Sequence, residues 1–250
     1  MAARHALVTG GNTGIGRAIA LALAADGIAI TICGRRVELL EAVAAEAPNI
    51  HAIVADVTDE ASVAALYEQA EAARGPFDIV VANAGIASSA PAWRTALDEW
   101  RRILDVNLTG AFLTVRPALK GMTERKRGRI VFIASVAGLR GAAYVAPYVA
   151  SKHGVVGLMR ALAAELLMTG VTVNAVCPGY VETGMLERSI RNVMEKTGRS
   201  EEEARRGFAE TNPNHQLIRP EEVAAAVMWL VSDAAKNVTG QPIPISGGGL

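Results

Sequence analysis

The sequence contains little of what marks several classes of protein. Aromatic residues make up 4% of its 250 residues, and lysine plus arginine, at 25, equal aspartate plus glutamate, at 25. A chain without net charge has no strong field to recruit nucleic acid or an anionic membrane. No apolar run reaches the roughly 18 residues that a membrane-spanning helix requires, and the N-terminus MAARHALVTGG does not resemble a signal peptide. We therefore expect a cytoplasmic protein without nucleic-acid or membrane partners.

Cysteine and histidine are also scarce. The two cysteines, Cys33 and Cys177, each end a predicted strand, which favours buried thiols over a disulfide or a reactive pair. The four histidines are scattered without the spacing of metal ligands, at His5, His51, His153 and His215. The sequence therefore predicts no metal site.

Aliphatic residues and glycine are abundant instead. Apolar residues make up 51% of the chain, and there are 24 glycines. Short apolar or β-branched runs predict strands at 5–10, 29–33, 50–55, 78–84, 129–134, 171–177 and 242–246. Stretches rich in Ala, Leu and Glu predict helices at 15–26, 36–47, 59–74, 98–124, 147–168 and 220–232. This alternation predicts one α/β domain over 1–250, a Rossmann-type doubly wound parallel sheet of about seven strands with helices on both faces.

One segment, 184–216, interrupts this alternation with a charged, helix-prone insertion. Long insertions at the ligand-binding end of such a sheet are often substrate lids. A pair of surface helices is the alternative. Ile190, Val193 and Met194 give either one an apolar underside.

A glycine cluster, TGGNTGIG at 9–16, joins the first strand to the first helix. Glycine lets the backbone approach a pyrophosphate closely, and the helix N-terminus offers unpaired N–H groups and a positive dipole end. Gly10, Gly14 and Gly16 therefore indicate a dinucleotide site, although tight structural turns also use glycine.

The second strand ends in CGRR at 33–36. An acidic residue at this position would bind the ribose 2′-hydroxyl of NAD, and Gly34 stands there instead. The guanidinium groups of Arg35 and Arg36 suit a 2′-phosphate, which favours NADP(H) over NAD(H). The alternative is that both arginines only solvate the start of the next helix.

With further motifs, the chain resembles the short-chain dehydrogenase/reductase family over nearly its whole length. The motifs are TGGNTGIG, the aspartate of ADV at 56, NAG at 83–85, the asparagine of DVNLTG at 107, the serine of IASVAG at 135, YVASK at 148–152 and PGYVET at 178–183. Ser135 precedes Tyr148 by thirteen residues, which is the usual interval in the family.

The resemblance implies a set of cofactor-binding residues. Asp56 and Val57 would flank the adenine, the backbone of 83–85 would lie beneath the cofactor, and 178–183 would hold the nicotinamide end. The full implied set is Gly10, Asn12, Thr13, Gly14, Ile15, Gly16, Arg35, Arg36, Asp56, Val57, Asn83, Ala84, Gly85, Tyr148, Lys152, Pro178, Gly179, Val181 and Thr183.

The catalytic group implied by the resemblance is Asn107, Ser135, Tyr148 and Lys152. Pro147 favours a helix start, so Tyr148 and Lys152 share one face at i and i+4, whereas Tyr144 lies in the preceding loop. A free phenol titrates near ~10, and a nearby ammonium is expected to lower that pKa.

In the implied reaction Ser135 positions the ketone oxygen and Tyr148 donates the proton. Lys152 also binds the nicotinamide ribose, and Asn107 anchors a water that relays protons to it. The alternatives are ordinary capping and snorkelling for the tyrosine and lysine, and a packing irregularity for the asparagine.

Within the family the sequence is most similar to the 3-oxoacyl reductases that act on carrier-protein or CoA thioesters, including polyketide ketoreductases. NP at 212–213, RPEEVA at 219–224 and TGQPIPISGG at 239–248 resemble the ends of such enzymes. The alternatives are an NAD-dependent dehydrogenase of a sugar or other secondary alcohol, and a dinucleotide-sensing protein without activity.

Two expectations about partners complete the interpretation. Arg188, Arg191 and Lys196 on the insertion could meet phosphates of a carrier-bound substrate, or could belong to a solvated helix. The resemblance also implies a homotetramer in which helices 98–124 and 147–168 pack on symmetry mates and the C-terminal strand forms a second interface.

Overall fold

The computed structural model describes residues 4–248 and contains one seven-stranded sheet in the order β3-β2-β1-β4-β5-β6-β7. All neighbouring strands run parallel. The strands are β1 His5–Thr9, β2 Ala29–Gly34, β3 Ile50–Val54, β4 Ile79–Ala82, β5 Gly128–Ile133, β6 Val171–Pro178 and β7 Pro242–Ile245. The predicted doubly wound parallel fold is confirmed.

Helices cover both faces of the sheet. They are α1 Gly14–Ala25, α2 Val37–Ala44, α3 Glu60–Arg74, α4 Leu97–Leu104, α5 Gly110–Glu124, α6 Ala146–Glu165, α7 Gly184–Thr197, α8 Glu201–Ala209 and α9 Pro220–Val231. α1, α2 and α9 pack on one face, and α3, α5 and α6 pack on the other. Within residues 4–248, no helix is both long and apolar enough to cross a membrane.

The buried strands explain the continuous apolar runs in the sequence. In β5, Ile130 and Phe132 point into the core beneath α5 and α6, whereas Val131 and Ile133 point into the core beneath α1 and α9. Successive strand side chains alternate between faces, so a sheet covered on both sides needs apolar residues at every position. Each such side chain stabilises the fold by ~1.5–3 kcal/mol when buried.

The strand order reverses between β1 and β4, which are neighbours in the sheet. The chain winds outward in opposite directions from this pair, so the loops after the two strands diverge and leave a crevice. Gly10 follows β1 and Asn83 follows β4. Two of the predicted motifs therefore meet at the topological switch point.

The prediction of one regular helix over 98–124 is wrong at its centre. A π-helical segment, Asp105–Thr109, separates α4 from α5 and contains the buried Asn107. The Asn107 side chain there binds the backbone of Ile86, in the loop after β4. The wider π-helical turn therefore coincides with a hydrogen bond to a distant loop, which the sequence pattern of the helix does not reveal.

The insertion forms α7 and α8, which share a small apolar cluster of their own. The buried members are Leu186, Ile190 and Ala204, with Val193, Met194, Phe208 and Leu217 packed against them. Ile190, Val193 and Met194 therefore supply the predicted apolar underside. The role of the pair as a lid stays a prediction.

Candidate active site

The glycine loop after β1 packs against the end of β4 with no room for side chains. A Cβ at Gly10 would lie 3.0 Å from Nδ2 of Asn83, and a Cβ at Gly16 would lie 2.2 Å from the carbonyl oxygen of Gly10. Gly10 and Gly14 also have φ of 64° and 52°, which L side chains rarely adopt. The loop is shaped for close approach of another group to its backbone.

The start of α1 leaves donors available at this loop. Thr13, the N-cap residue, has extended backbone angles and makes no capping hydrogen bond with its side chain. The first N–H groups of a helix have no partner within the helix, and they attract anions together with the helix dipole. Residues 10–16 therefore fit a pyrophosphate.

Thr9 supports this loop, a role that the glycine motif alone did not indicate. Its buried hydroxyl accepts hydrogen bonds from the backbone N–H groups of Asn83 at 3.0 Å and Ala84 at 3.1 Å. Nδ2 of Asn83 donates in return to the Thr9 carbonyl at 2.8 Å. A polar residue at the end of a buried strand was the signal that could have identified it.

The end of β2 presents cations and no acidic side chain of its own. Arg35 is 67% exposed and lies 3.8 Å from a carboxylate oxygen of Asp56, too far for a tight ion pair. Asp56 instead accepts hydrogen bonds from the N–H and hydroxyl of Thr58 at 2.9 and 2.8 Å. These bonds, the backbone one above all, hold the pKa of Asp56 below its usual value. Arg36 is exposed at the N-cap of α2.

A cavity of about 390 Å³ opens beside Arg35. Its other wall is formed by α4 and the π-helical segment, including Arg101, Val106 and Thr109. Thr58, which lines this cavity, directly follows Asp56 and Val57, the two residues predicted to flank the adenine.

Ser135, Tyr148 and Lys152 lie together at the carboxyl end of β5. Ser135 is 8% exposed, and its Oγ accepts a hydrogen bond from Ala137 N–H at 3.1 Å. Lys152 is 5% exposed, and its Nζ donates to the Ile133 carbonyl at 2.7 Å. The same Nζ lies 5.7 Å from the centre of the Tyr148 ring. A Cβ at Gly85 would lie 3.6 Å from this amine, so the NAG motif borders it.

Burial controls the charges of this group. It raises the pKa of Tyr148 to about 12, and a hydrogen bond with Ser135 opposes the rise. It lowers the pKa of Lys152 to about 8. Desolvation of the phenolate is the main cause of the raised pKa of Tyr148, and the expectation that Lys152 lowers the pKa of this phenol stays a prediction.

Asn107 joins this group through its side-chain amide. Its Oδ1 accepts from Ile86 N–H at 2.8 Å, and its Nδ2 donates to the Ile86 carbonyl at 2.9 Å and to Ser151 Oγ at 2.9 Å. Both amide hydrogens are thus used, which leaves one lone pair of Oδ1 for a water. The asparagine therefore fixes the loop after NAG, and the relay water stays a prediction.

The residues after β6 form the opposite wall. A Cβ at Gly179 would lie 2.3 Å from Oδ1 of Asn212, which is 2% exposed. This oxygen accepts from Tyr180 N–H at 3.1 Å, and Nδ2 of Asn212 donates to the Gln216 carbonyl at 2.6 Å. Asn212 therefore ties the end of the insertion to the PGYVET segment, a role that the NP dipeptide alone did not reveal.

Two predicted segments meet across the crevice. The methyl group of Thr183 would lie 3.1 Å from a Cβ at Gly14, so PGYVET closes over the glycine loop. Val181 pairs with Ile218 in an isolated parallel bridge. Tyr144 stands apart from this pairing, with a φ of 67° and 64% exposure, and its carbonyl accepts from Ala90 N–H at 2.8 Å.

Comparison with known proteins identifies the family of the chain. The family model described as short chain dehydrogenase matches residues 4–193. The chain belongs to the short-chain dehydrogenase family.

Matches to individual relatives cover nearly the full chain. A protein named ketoacyl reductase 1 of the granaticin polyketide synthase from Streptomyces violaceoruber is 42% identical, over 97% of this chain and 92% of its own. The D-beta-hydroxybutyrate dehydrogenase of Cupriavidus necator is 38% identical, over 98% of this chain and 97% of its own. A crystal structure of a single-residue variant of actinorhodin polyketide ketoreductase with NADPH has a TM-score of 0.95 at 38% identity, covering 99% and 98% of the two chains.

Proposed function

We propose that the protein is an NADP(H)-dependent reductase that converts the ketone of a 3-oxoacyl thioester to a secondary alcohol. The observation that carries the proposal is that the buried Ser135 and Lys152 lie beside the half-buried Tyr148 at the carboxyl end of β5, near the glycine loop. The ketoacyl reductase relative and the NADPH-bound ketoreductase neighbour support the reaction and the cofactor.

The crevice fits a nicotinamide dinucleotide. Glycines at 10, 14 and 16 leave the backbone open, α1 directs unpaired N–H groups into the opening, and Arg35 presents an exposed guanidinium at the end of β2. Gly34 carries no group to repel a 2′-phosphate. NADPH supplies a hydride to the ketone carbon when bound.

Ser135 and Tyr148 act on the ketone oxygen. The Ser135 hydroxyl donates a hydrogen bond that fixes this oxygen, and the Tyr148 hydroxyl transfers its proton as negative charge develops there. A phenol with a pKa of about 12 holds its proton throughout the neutral range, which suits a proton donor in reduction.

Lys152 supplies positive charge behind the tyrosine. With a pKa of about 8, its amine is mostly protonated at neutral pH. After proton transfer this charge stabilises the phenolate, and in a buried site it is screened little by water. The lysine is held in place by its hydrogen bond to the Ile133 carbonyl.

A dehydrogenase acting on a secondary alcohol is the second candidate, favoured by the hydroxybutyrate dehydrogenase relative. Such an enzyme runs the same proton transfer in reverse, with Tyr148 as the base. The exposed Arg35 at the end of β2 and the NADPH-bound ketoreductase neighbour favour the reductase. A dinucleotide-sensing protein is the non-enzymatic alternative, which the complete catalytic group disfavours.

The test is a panel of 3-oxoacyl-CoA and carrier-protein thioesters, simple ketones and 3-hydroxybutyrate, each assayed with both nicotinamides. We expect NADPH oxidation with a 3-oxoacyl thioester, and a loss on Arg35→Ala that is larger with NADPH than with NADH. Turnover of 3-hydroxybutyrate with NAD alone would favour the dehydrogenase, and absence of turnover with every ketone would favour the sensor.

Three further features belong to this proposal. α7 and α8 act as a lid over the substrate, with Asn192 of α7 hydrogen-bonded to Ser89 of the loop after β4 at 3.0 Å. The protein assembles as a homotetramer through α5, α6 and β7. Its substrate is a small-molecule or carrier-bound ketone in the cytoplasm.

A further inference from the structure

Two helix N-termini converge at the glycine loop. α1 begins at Gly14, α7 begins at Gly184, and the Thr183 methyl would lie 3.1 Å from a Cβ at Gly14. The Thr183 hydroxyl donates to the Val181 carbonyl and does not cap α7. Unpaired N–H groups and positive dipole ends of both helices therefore lie on either side of the same opening.

Arg188 adds a third positive group to this opening. Its Nη1 lies 3.8 Å from the position that a Cβ would occupy at Gly184. Helical side chains lean toward the N-terminus, so an arginine one turn into α7 is directed to the start of the helix. A cation at that end of a helix is electrostatically unfavourable unless an anion joins it.

The surrounding acids do not neutralise this arginine. Over residues 4–248, the side chain of Arg188 makes no ion pair or hydrogen bond, and it is exposed. The adjacent Glu187 is turned away and pairs with Arg205 at 2.7 Å. Glu182 is exposed nearby and, in this part of the chain, also has no cationic partner.

The opposite side of the opening is formed by the glycine loop and the start of α1. The loop 9–16 contains no basic residue. Arg17, the first cation of α1, is paired with Glu46. A pyrophosphate at the glycine loop would therefore meet no cationic side chain from residues 9–16.

We infer that Arg188 binds the pyrophosphate of the dinucleotide from the lid side of the crevice, and so couples the position of α7 to cofactor binding. The inference rests on the proposed dinucleotide site. It assigns Arg188 to the cofactor and not to a phosphate of a carrier-bound substrate. Its two N–H edges suit phosphate oxygens, and its exposed position lets it turn without disturbing the core.

The test compares Arg188→Gln with Arg199→Gln, which removes the same charge just beyond the far end of α7. Dissociation constants are measured by calorimetry for NADPH, for ADP-ribose, which contains the pyrophosphate without nicotinamide, and for 2′-AMP, which lacks the pyrophosphate. We expect Arg188→Gln to weaken NADPH and ADP-ribose by a similar factor of about ten and to leave 2′-AMP unchanged. Arg199→Gln should bind all three ligands as the wild type does.

The outcomes separate this inference from the proposed function. If the wild type binds NADPH and ADP-ribose but Arg188→Gln binds them as tightly as Arg199→Gln does, the inference is overturned and the cofactor site stands. Equal weakening of 2′-AMP also overturns it, because the arginine would then act on the whole site. If the wild type binds neither NADPH nor ADP-ribose, the proposed function fails as well. Matching thermal melting curves establish that each variant is folded.

Discussion

Substitution of Gly16 by alanine tests whether the glycine loop is built for close approach. Gly16 lies in the first turn of α1 and has no positive φ, so the backbone conformation itself accepts alanine. The obstacle is space, because the new Cβ would lie 2.2 Å from the Gly10 carbonyl oxygen and 2.5 Å from Nδ2 of Asn83. Both neighbours are held by other contacts, since Asn83 donates a hydrogen bond to the Thr9 carbonyl and the Gly10 N–H donates one to the Cys33 carbonyl.

The size of the effect follows from that geometry. Ordinary contact begins at 3.4 Å, so the loop and the helix must separate by roughly an ångström or more. Forcing a methyl group into a packed region typically costs ~1–3 kcal/mol. The separation also moves the N–H groups of α1 away from the pyrophosphate position, and we expect NADPH affinity to fall at least about tenfold, or ~1.4 kcal/mol.

Chemical denaturation and NADPH fluorescence titration measure the two effects. Gly207→Ala in α8 is the matched control, because a Cβ there would meet nothing within 4 Å. The control should keep NADPH affinity and gain up to about 1 kcal/mol of stability from helix propensity. If Gly16→Ala keeps both wild-type stability and wild-type NADPH affinity, the close-approach reasoning is refuted.

Three further predictions concern the core and the site. His5 is buried between the Gly75 carbonyl and the Thr31 hydroxyl, and burial lowers its pKa below 6.5, so the unfolded chain binds more protons in acid. The free energy of unfolding should therefore fall as pH drops below about 6.5, and His5→Gln should flatten that dependence in denaturation curves recorded from pH 7 to 5. Asn107→Ala should destabilise the fold by ~1–3 kcal/mol, because the backbone of Ile86 loses both of its hydrogen bonds to the Asn107 side chain. The same variant should have a lower kcat in steady-state assays. Wild-type stability together with wild-type kcat would contradict the assigned role. Activity should decline as pH rises through about 8, where Lys152 loses its charge, and a flat pH–rate profile to pH 10 would contradict that role.

Elements with local signals could be predicted from the sequence. The apolar runs marked the seven strands, most clearly β1, β4, β5 and β6, which are buried at every position. The helix bounds moved by only a few residues. The glycine cluster, the arginines after β2 and the tyrosine–lysine pair came together because the carboxyl ends of parallel strands share one edge. A local sequence pattern was therefore sufficient to predict those site residues that the parallel strands bring to the same edge of the sheet.

Features that depend on tertiary contacts could not be predicted. The π-helical segment depends on the bond from Asn107 to Ile86, and the Asn212 contacts depend on how the insertion returns to the sheet. The raised pKa of Tyr148 reflects burial that the sequence does not record. The direction of Arg188 toward Gly184 likewise required coordinates.

The central claim is that the Tyr148 hydroxyl donates the proton in a reduction driven by NADPH. Its most direct measurement is single-turnover oxidation of NADPH by Tyr148→Phe with a 3-oxoacyl thioester, alongside NADPH binding to the same variant. The account predicts a rate lowered by about 10²–10⁴-fold with NADPH affinity within roughly twofold of the wild type. A variant that oxidises NADPH at the wild-type rate would contradict it.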